Sequence, residues 1–488
     1  MAKLRIETKQ GMVEGREENG VRVWKGIPYA KPPVGELRFH APVAPEPWDG
    51  IREAFSFGTV SLQPSSQGAG LFDSGAEPPE VSEDCLYLNV WAPDEPLEAQ
   101  LPVMVWIHGG AFVAGSGSLP LYDGTRFAQR GKVIVVTFNY RLGPFGFLHL
   151  APLGGSFASN AGLLDQIAAL KWVQDNIAAF GGDPNKVTVF GESAGSMSIA
   201  ALLAMPAAKG LFRQAIMESG ASQALPDDGA SAIAGGMLQL LGIAPHEAER
   251  LKTLPAEQIL AAGERLKQQA GGELMMLFQP VVEGNTLPLD PLTAIRNGAA
   301  KDIPLLIGTN RDEGALFIRP DSPVMNEEEL VQAIKLMTGI EGAEVIARSY
   351  PLSTEGQEQL MTDLYFWRSA VQFALGQSEH APVWMYRFDW TLPSHPLLGK
   401  AIHAGEIVFV FNNLEHLKAV GVHADPSMQQ LADRIQDAWI SFAVYGTPDT
   451  EELPWPAYDP HNRTTMIFNN HCEAVKDPDA PKRAMFGL

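Results

Sequence analysis

The spacing of apolar and polar positions changes several times along the chain, and each change predicts a change of element. The runs LPVMVWIH (101–108) and KVIVVTFNY (132–140) are continuous and rich in Val and Ile, as strands buried on both faces of a parallel sheet should be. Between 162 and 179, Leu163, Leu164, Ile167, Leu170, Trp172, Val173 and Ile177 fall at helical spacing. VTVF (187–190) returns to strand and GSMSIAALLAM (195–205) reads as a helix. Strand, helix, strand, helix in that order predicts right-handed crossovers and an α/β architecture. IPLLIG (303–308) and VWMYRFDW (383–390) read as further strands, whereas 225–300 and 320–380 are mainly helical and loop-like.

The first fifty residues differ. LRIETKQ, GMVEGREE and VRVWKGIPYA are short strand-like segments broken by turns, which predicts an antiparallel meander at one sheet edge. Residues 61–82 (SLQPSSQGAGLFDSGAEPPEVS) carry Ser, Gly and Pro without apolar periodicity and predict a long surface loop, a rim or lid. No tandem repeat, low-complexity tract or long linker interrupts the chain. The expectation is therefore one domain over 1–488, a large, mostly parallel sheet flanked by helices, with the excursions near 225–300 and 320–380 forming the rim of its active site.

Composition narrows the classes of function. Of 488 residues, 45% are apolar and 19% charged, so a large core can form. The formal charge of -21 is spread along the chain, and no run of Lys and Arg offers a basic stripe, which sets nucleic acid aside as a partner. No stretch is long and apolar enough to cross a bilayer, so no membrane partner is expected. Two cysteines, Cys85 and Cys472, exclude a disulfide framework; with no apolar signal stretch near the start, they predict a cytoplasmic protein.

Gly191-Glu192-Ser193-Ala194-Gly195 is a G-x-S-x-G pentapeptide. With glycine at roughly a tenth of residues, the bare pattern would arise by chance about 0.3 times in a chain this long. Its place between VTVF and the next helix supplies the specificity. A sharp strand-to-helix turn holds such a serine strained, with its Oγ above the sheet, and the glycines relieve crowding there. The helix also aims its positive end at the site. Ser193 is thus the candidate nucleophile of an α/β-hydrolase fold.

A serine hydroxyl needs a base and an orienting acid, in the chain order Ser, acid, His. Asp312 and Glu313, in IPLLIGTNRDEG, follow a buried strand that delivers them to the sheet's carboxyl edge, where such folds do chemistry. Seven histidines lie beyond residue 320: His380, His395, His403, His416, His423, His461 and His471. His403, in KAIHAGEIVFVF, suits a loop over that edge, but spacing alone does not rank it first. His108-Gly109-Gly110-Ala111-Phe112 follows the strand VMVWI at once, a flexible run able to turn N–H groups inward as an oxyanion hole. The expected donors are Gly110 and Ala111, joined by Ala194.

With these residues in hand the sequence resembles the type-B carboxylesterase family, which includes the cholinesterases, and in particular its bacterial para-nitrobenzyl esterases. The segments that carry it span nearly the whole chain: VWKGIPYAKPPVGELRF, EDCLYLNVWAP, VMVWIHGGAF, FNYRLGPFGF, NAGLLDQIAALKWVQDNIAAFGGDPNKVTVFGESAG, IGTNRDEGALF and HAGEIVFVF. The resemblance implies Glu313 as the triad acid and His403 as the base, with Asp312 a neighbour. It implies a three-pronged oxyanion hole at Gly110, Ala111 and Ala194, and a structural salt bridge between Arg38 and Glu83. Secreted relatives pair a cysteine at position 85 with one where this chain has Ser61, so the loop between is unstapled here. Glu192 is read as a buried orienting group, and Phe112, Phe145 and Phe317, by nearness to the motifs, as pocket walls or, equally, as packing residues.

The reaction so implied is hydrolysis of neutral carboxylic esters through a Ser193 acyl-enzyme, with no metal or organic cofactor. The partner is a small-molecule ester, and the protein is expected as a monomer or weak homo-oligomer. The rival readings are a catalytically silent cholinesterase-like binding protein, and a lipase or amidase using the same triad.

Overall fold

The computed structural model describes residues 4–64, 79–271, 276–338 and 340–488. Among these, eleven strands form the main sheet: β1 (Arg16–Glu18), β2 (Val21–Pro28), β3 (Tyr87–Pro93), β4 (Leu101–Ile107), β5 (Ile134–Phe138), β6 (Gly182–Glu192), β7 (Gln214–Glu218), β8 (Leu305–Asn310), β9 (Val383–Phe388), β10 (Thr464–Phe468) and β11 (Glu473–Lys476). Their spatial order is β11-β10-β9-β8-β7-β6-β4-β5-β3-β2-β1. From β5 through β10 every pairing is parallel; the flanking pairings are antiparallel. This is the α/β-hydrolase architecture that the strand and helix patterns predict.

Strand parity explains the long apolar runs. Val103, Val105 and Ile107 of β4 enter one core, while Met104 and Trp106 enter the other. β8 repeats the division, with Leu305 and Ile307 on the first side and Leu306 on the second. Helices Ala161–Asn176, Ala194–Ala204 and Arg368–Ser378 cover the first face, and Thr125–Gly131 with Pro426–Tyr445 the second. A strand covered on both faces has no polar side to alternate with, so period two disappears from its sequence.

The N-terminal meander is divided. Arg5–Thr8 and Gly11–Glu14 pair with Ile51–Glu53 as a separate three-stranded sheet, and only β1 and β2 join the main one. Gly15 lies at the crossing: a Cβ there would stand 2.4 Å from the carbonyl oxygen of Val23 and 2.5 Å from the Trp24 ring. Of the expected 61–82 loop, residues 65–78 lie outside the described residues; its two ends meet as a parallel pair, Val60–Ser61 with Val81–Ser82. The described residues of the 225–300 and 320–380 segments are mainly helices and loops, with one short parallel pair, Leu225–Pro226 and Val281–Val282.

The chain moves from β4 outward to β5, then crosses back over β4 to β6. The crevice at such a reversal, beyond the carboxyl ends of the strands, is where open α/β sheets bind ligands. β4 runs into His108–Phe112 and β6 into Ser193.

Candidate active site

Ser193 stands between β6 and helix Ala194–Ala204 with φ 54° and ψ −121°, a conformation that costs a non-glycine residue roughly 1–3 kcal/mol. Its surroundings impose it. The Ser193 amide donates to the Glu218 carbonyl at 2.9 Å, and its carbonyl accepts from the Met197 amide at 2.9 Å. A Cβ on Gly191 would stand 2.5 Å, and one on Gly195 1.9 Å, from the Ile107 carbonyl oxygen. Only glycines on both sides of the serine let the elbow press against the end of β4. Every residue of the following helix is buried, so its N-terminus is fixed against the core.

Three successive residues at the end of β4, Gly110 (φ 110°), Ala111 (φ 53°) and Phe112 (φ 61°), have left-handed backbone. The run turns tightly, with the Gly110 carbonyl accepting from the amides of Val113 and Ala114, both at 3.0 Å. A Cβ on Gly109 would meet Glu192 Oε2 at 2.7 Å and the Ser193 Cβ at 3.1 Å, so this loop lies against the elbow. Among the described backbone hydrogen bonds, none is donated by the amides of Gly110, Ala111 or Ala194. His108 stiffens the run from below. Its Nδ1 donates to the Gly109 carbonyl at 2.8 Å, its ring stacks on Tyr140 at 4.4 Å, and burial lowers its pKa to about 4, which keeps it neutral.

Glu313 and His403 are brought together by the loops after β8 and β9. Glu313 Oε2 accepts from His403 Nδ1 at 2.6 Å, and its other oxygen accepts the Asn310 amide at 2.7 Å. In the neutral imidazole, a proton held on Nδ1 leaves the Nε2 lone pair free. That nitrogen points toward the elbow, 3.0 Å from Glu192 Oε1, although this oxygen has no well-aligned hydrogen bond. Asp312 does not enter the pair. It clamps the histidine loop: its amide donates to the Ala401 carbonyl and its Oδ2 accepts the Ala401 amide, each at 2.9 Å. Asn310 adds a third tie, from its side-chain amide to the Ile402 carbonyl at 2.7 Å.

Beneath the imidazole lies a group of buried carboxyls. Glu192, Glu218, Glu313 and Glu406 are all at most 3% exposed. Asn310 donates to Glu406 Oε2 at 2.5 Å, Ser219 to its Oε1 at 3.3 Å, and Trp439 to Glu218 Oε1 at 2.8 Å. Burial pushes Glu192 up to about 8 and Glu406 to about 7. Burial alone would lower His403, but the carboxylates of Glu192 and Glu313 outweigh it and raise it to about 9. The site therefore stores protons near neutrality and favours a positive imidazolium.

Of the three phenylalanines expected as pocket walls, the structure brings Phe317 to the site, its ring centroid 5.0 Å from that of His403. Phe112 is wholly buried against Phe147 at 4.8 Å, and Phe145 stacks on Phe39 at 5.7 Å beneath the Arg38 guanidinium. Arg38 and Glu83 form the expected bidentate pair, at 2.6 and 2.5 Å. Cys85 and Cys472 are free thiols, and Ser61 donates to the Tyr140 carbonyl at 2.5 Å.

The whole chain can now be set beside known proteins. Residues 2–486 match the model of the carboxylesterase family. The chain belongs to this family. It is 53% identical to the para-nitrobenzyl esterase of Bacillus subtilis (strain 168) over 480 residues, covering 98% of this chain and 97% of that one. It is 36% identical to the fumonisin B1 esterase of Sphingopyxis macrogoltabida over 483 residues, 94% and 85% of the two chains. A solved thermophilic PNB esterase superposes with a TM-score of 0.95 at 51% identity, over 99% of this chain and all of that one. The protein is a serine carboxylesterase of type B, allied to the bacterial PNB esterases.

Several of the esterase's site residues escape sequence reasoning. Glu406 and Glu218 had a usable signal, since each is a lone carboxylate inside an apolar run, HAGEIVFVF and QAIMESG. Such a residue is buried with partners or not at all. Asn310 sits two residues before Asp312 and carries no motif signal of its own.

Proposed function

We propose that Ser193, His403 and Glu313 are the esterase's catalytic triad and that the amides of Gly110, Ala111 and Ala194 are its oxyanion hole. Ser193 Oγ attacks the ester carbonyl while His403 Nε2 takes its proton; Glu313, dry and hydrogen-bonded to Nδ1, stabilises the imidazolium. The unused amides donate to the oxyanion. His403 then returns the proton to the departing alcohol, and water repeats the sequence on the acyl-enzyme to release the acid. Every proton and electron pair is accounted for by these groups, so the cycle requires no metal or organic cofactor.

The observation that carries this reading is the imidazole itself: Nδ1 engaged by a fully buried carboxylate at 2.6 Å, Nε2 turned to the residue preceding Ser193 at 3.0 Å. We read the helical excursions near 225–300 and 320–380 as the rim that admits the ester, within one domain. No helix among the described residues is long and apolar enough to cross a membrane, and we place the esterase in the cytoplasm as a monomer or weak homo-oligomer.

The test is an activity profile over neutral esters of increasing acyl and alcohol bulk, below and above their solubility limits, with Ser193→Ala as the blank. We expect turnover of dissolved esters and at least about a 10⁴-fold loss in the variant. A rate jump at an ester–water interface would point to a lipase, and retained activity in Ser193→Ala would overturn the nucleophile.

A further inference from the structure

A run of left-handed backbone in which two residues are not glycine does not hold itself. Ala111 and Phe112 carry a strained conformation that persists only where the surroundings over-determine it. On the strand side, His108 Nδ1 fixes the Gly109 carbonyl. On the other side the chain folds back against its own start. A Cβ on Gly110 would stand 2.1 Å from the Ala114 carbonyl oxygen, and one on Gly115 would stand 2.6 Å from the Gly109 carbonyl oxygen and 2.7 Å from His108 Nδ1. Gly115, itself left-handed at φ 101°, is therefore the back wall of the run.

One side chain holds that wall. The Gly115 amide donates to Gln63 Oε1 at 2.9 Å, and the Gly115 carbonyl accepts from Gln63 Nε2 at 3.1 Å; neither group has another partner among the described residues. Gln63 Nε2 also donates to the Ser61 carbonyl at 3.0 Å. The side chain is buried, with its acceptor and both donors engaged. A carboxylate would bring no donor to this place, and an apolar side chain neither donor nor acceptor. The circuit closes through Tyr140. Ser61 Oγ donates to the Tyr140 carbonyl at 2.5 Å, and the Tyr140 hydroxyl donates to the His108 carbonyl at 2.8 Å. Gln63, Gly115, His108, Tyr140 and Ser61 thus ring the base of the run, and Gln63 is the link that ties its far end to the 60s segment.

We propose that Gln63 is a positioning residue for the oxyanion hole, holding the Gly110 and Ala111 amides where negative charge develops. This rests on those amides being the oxyanion donors. Gln63 touches no reacting atom; it acts through Gly115. A hole has to be in place before the charge appears, so displacing the run weakens the transition state more than the bound ester. The loss falls on kcat and leaves KM nearly untouched. Glu313 and His403 stand on other loops, so the acid limb of the pH profile stays where it is.

The test uses Gln63→Met, which keeps length and removes all three hydrogen bonds, and Gln63→Glu, which keeps the acceptor for the Gly115 amide and gives up both donors. Each is assayed on a soluble ester across pH and for inhibition by a trifluoromethyl ketone beside the corresponding methyl ketone. Ser193 Oγ adds to the fluorinated ketone's carbonyl carbon, its proton passes to His403, and the C=O π pair moves to the oxygen as an alkoxide in the hole. Affinity for this ketone therefore reads the hole with no leaving group involved. Gln63→Met is expected to lower kcat about 10- to 100-fold. Its trifluoromethyl ketone affinity should fall in parallel, with KM and methyl ketone affinity within about 2-fold. Gln63→Glu should show a smaller loss in the same direction, and it carries the test if thermal unfolding finds Gln63→Met unfolded. Unchanged kcat and fluorinated-ketone affinity in a folded variant, whatever its melting temperature, would overturn the proposal and leave Gln63 a tie of the loop alone; a displaced acid limb would overturn it too. A wild-type enzyme that binds both ketones equally would instead overturn the oxyanion hole itself.

Discussion

The esterase contains two rows of serine, histidine and carboxylate, and they are not equivalent. One is Ser193, His403 and Glu313. The other lies away from the crevice, where His149 Nδ1 is 2.9 Å from Ser159 Oγ and Nε2 is 2.9 Å from Asp227 Oδ1. By residue type and hydrogen bonding alone the second row would pass for a triad. Its acid is the first difference: the Asp227 side chain is 58% exposed, whereas Glu313 is fully buried. A carboxylate in water stabilises an imidazolium weakly. The serine is the second. Ser159 is 4% exposed on ordinary backbone, while Ser193 is held at φ 54° on a glycine-flanked elbow. The second row binds the 150s loop to the start of helix Asp227–Leu241. Backbone strain and a dry acid, more than the row itself, set Ser193 apart.

The comparison can be broken most forcefully at Glu313. Glu313→Gln removes the charge and favours the wrong tautomer of His403, so kcat for a soluble ester should fall about 10³- to 10⁴-fold with the fold intact. A loss under tenfold would put the two rows on one footing. Glu192→Gln sharpens the electrostatic side. The lifted His403 must lose a proton to act as base, so kcat/KM should rise with pH through the neutral range toward about 9. Removing the Glu192 charge lowers the histidine's pKa, and the acid limb of the profile should move to lower pH. An unmoved limb, or one displaced upward, would contradict the assigned cause. The smallest effect belongs to Ser159→Ala. Activity should stay within 2-fold, and urea unfolding should show a loss of about 1 kcal/mol for the missing hydrogen bond.

How much of this the chain announces depends on the range of the interactions involved. The elbow, the glycine run and the buried strands are local: Gly191, Ser193 and Gly195 sit within one turn, and their meaning follows from steric rules over five residues. The proposed triad partners are far from it in sequence. Residue reasoning alone left Asp312 beside Glu313 and seven histidines in play, and only the family resemblance separated them; the hydrogen bond between Glu313 and His403 agrees with its choice. For Phe112 and Phe145, nearness to a motif left pocket wall and packing residue open; neighbouring side chains on a turning backbone diverge, and both pack into the core. Phe366, whose ring centroid lies 4.8 Å from that of His403, comes from a segment with no motif, on a π-helical turn (Thr362–Trp367) tied to Asp479 and Lys482 more than a hundred residues later.

The most direct measurement is covalent. A fluorophosphonate phosphonylates an activated serine and spares an inert one, so treated protein digested and mapped by mass spectrometry reports which row is chemically alive. One adduct per chain, on Ser193, formed in step with complete loss of esterase activity, is the expected result. An adduct on Ser159, or full inactivation with Ser193 unmodified, would contradict it.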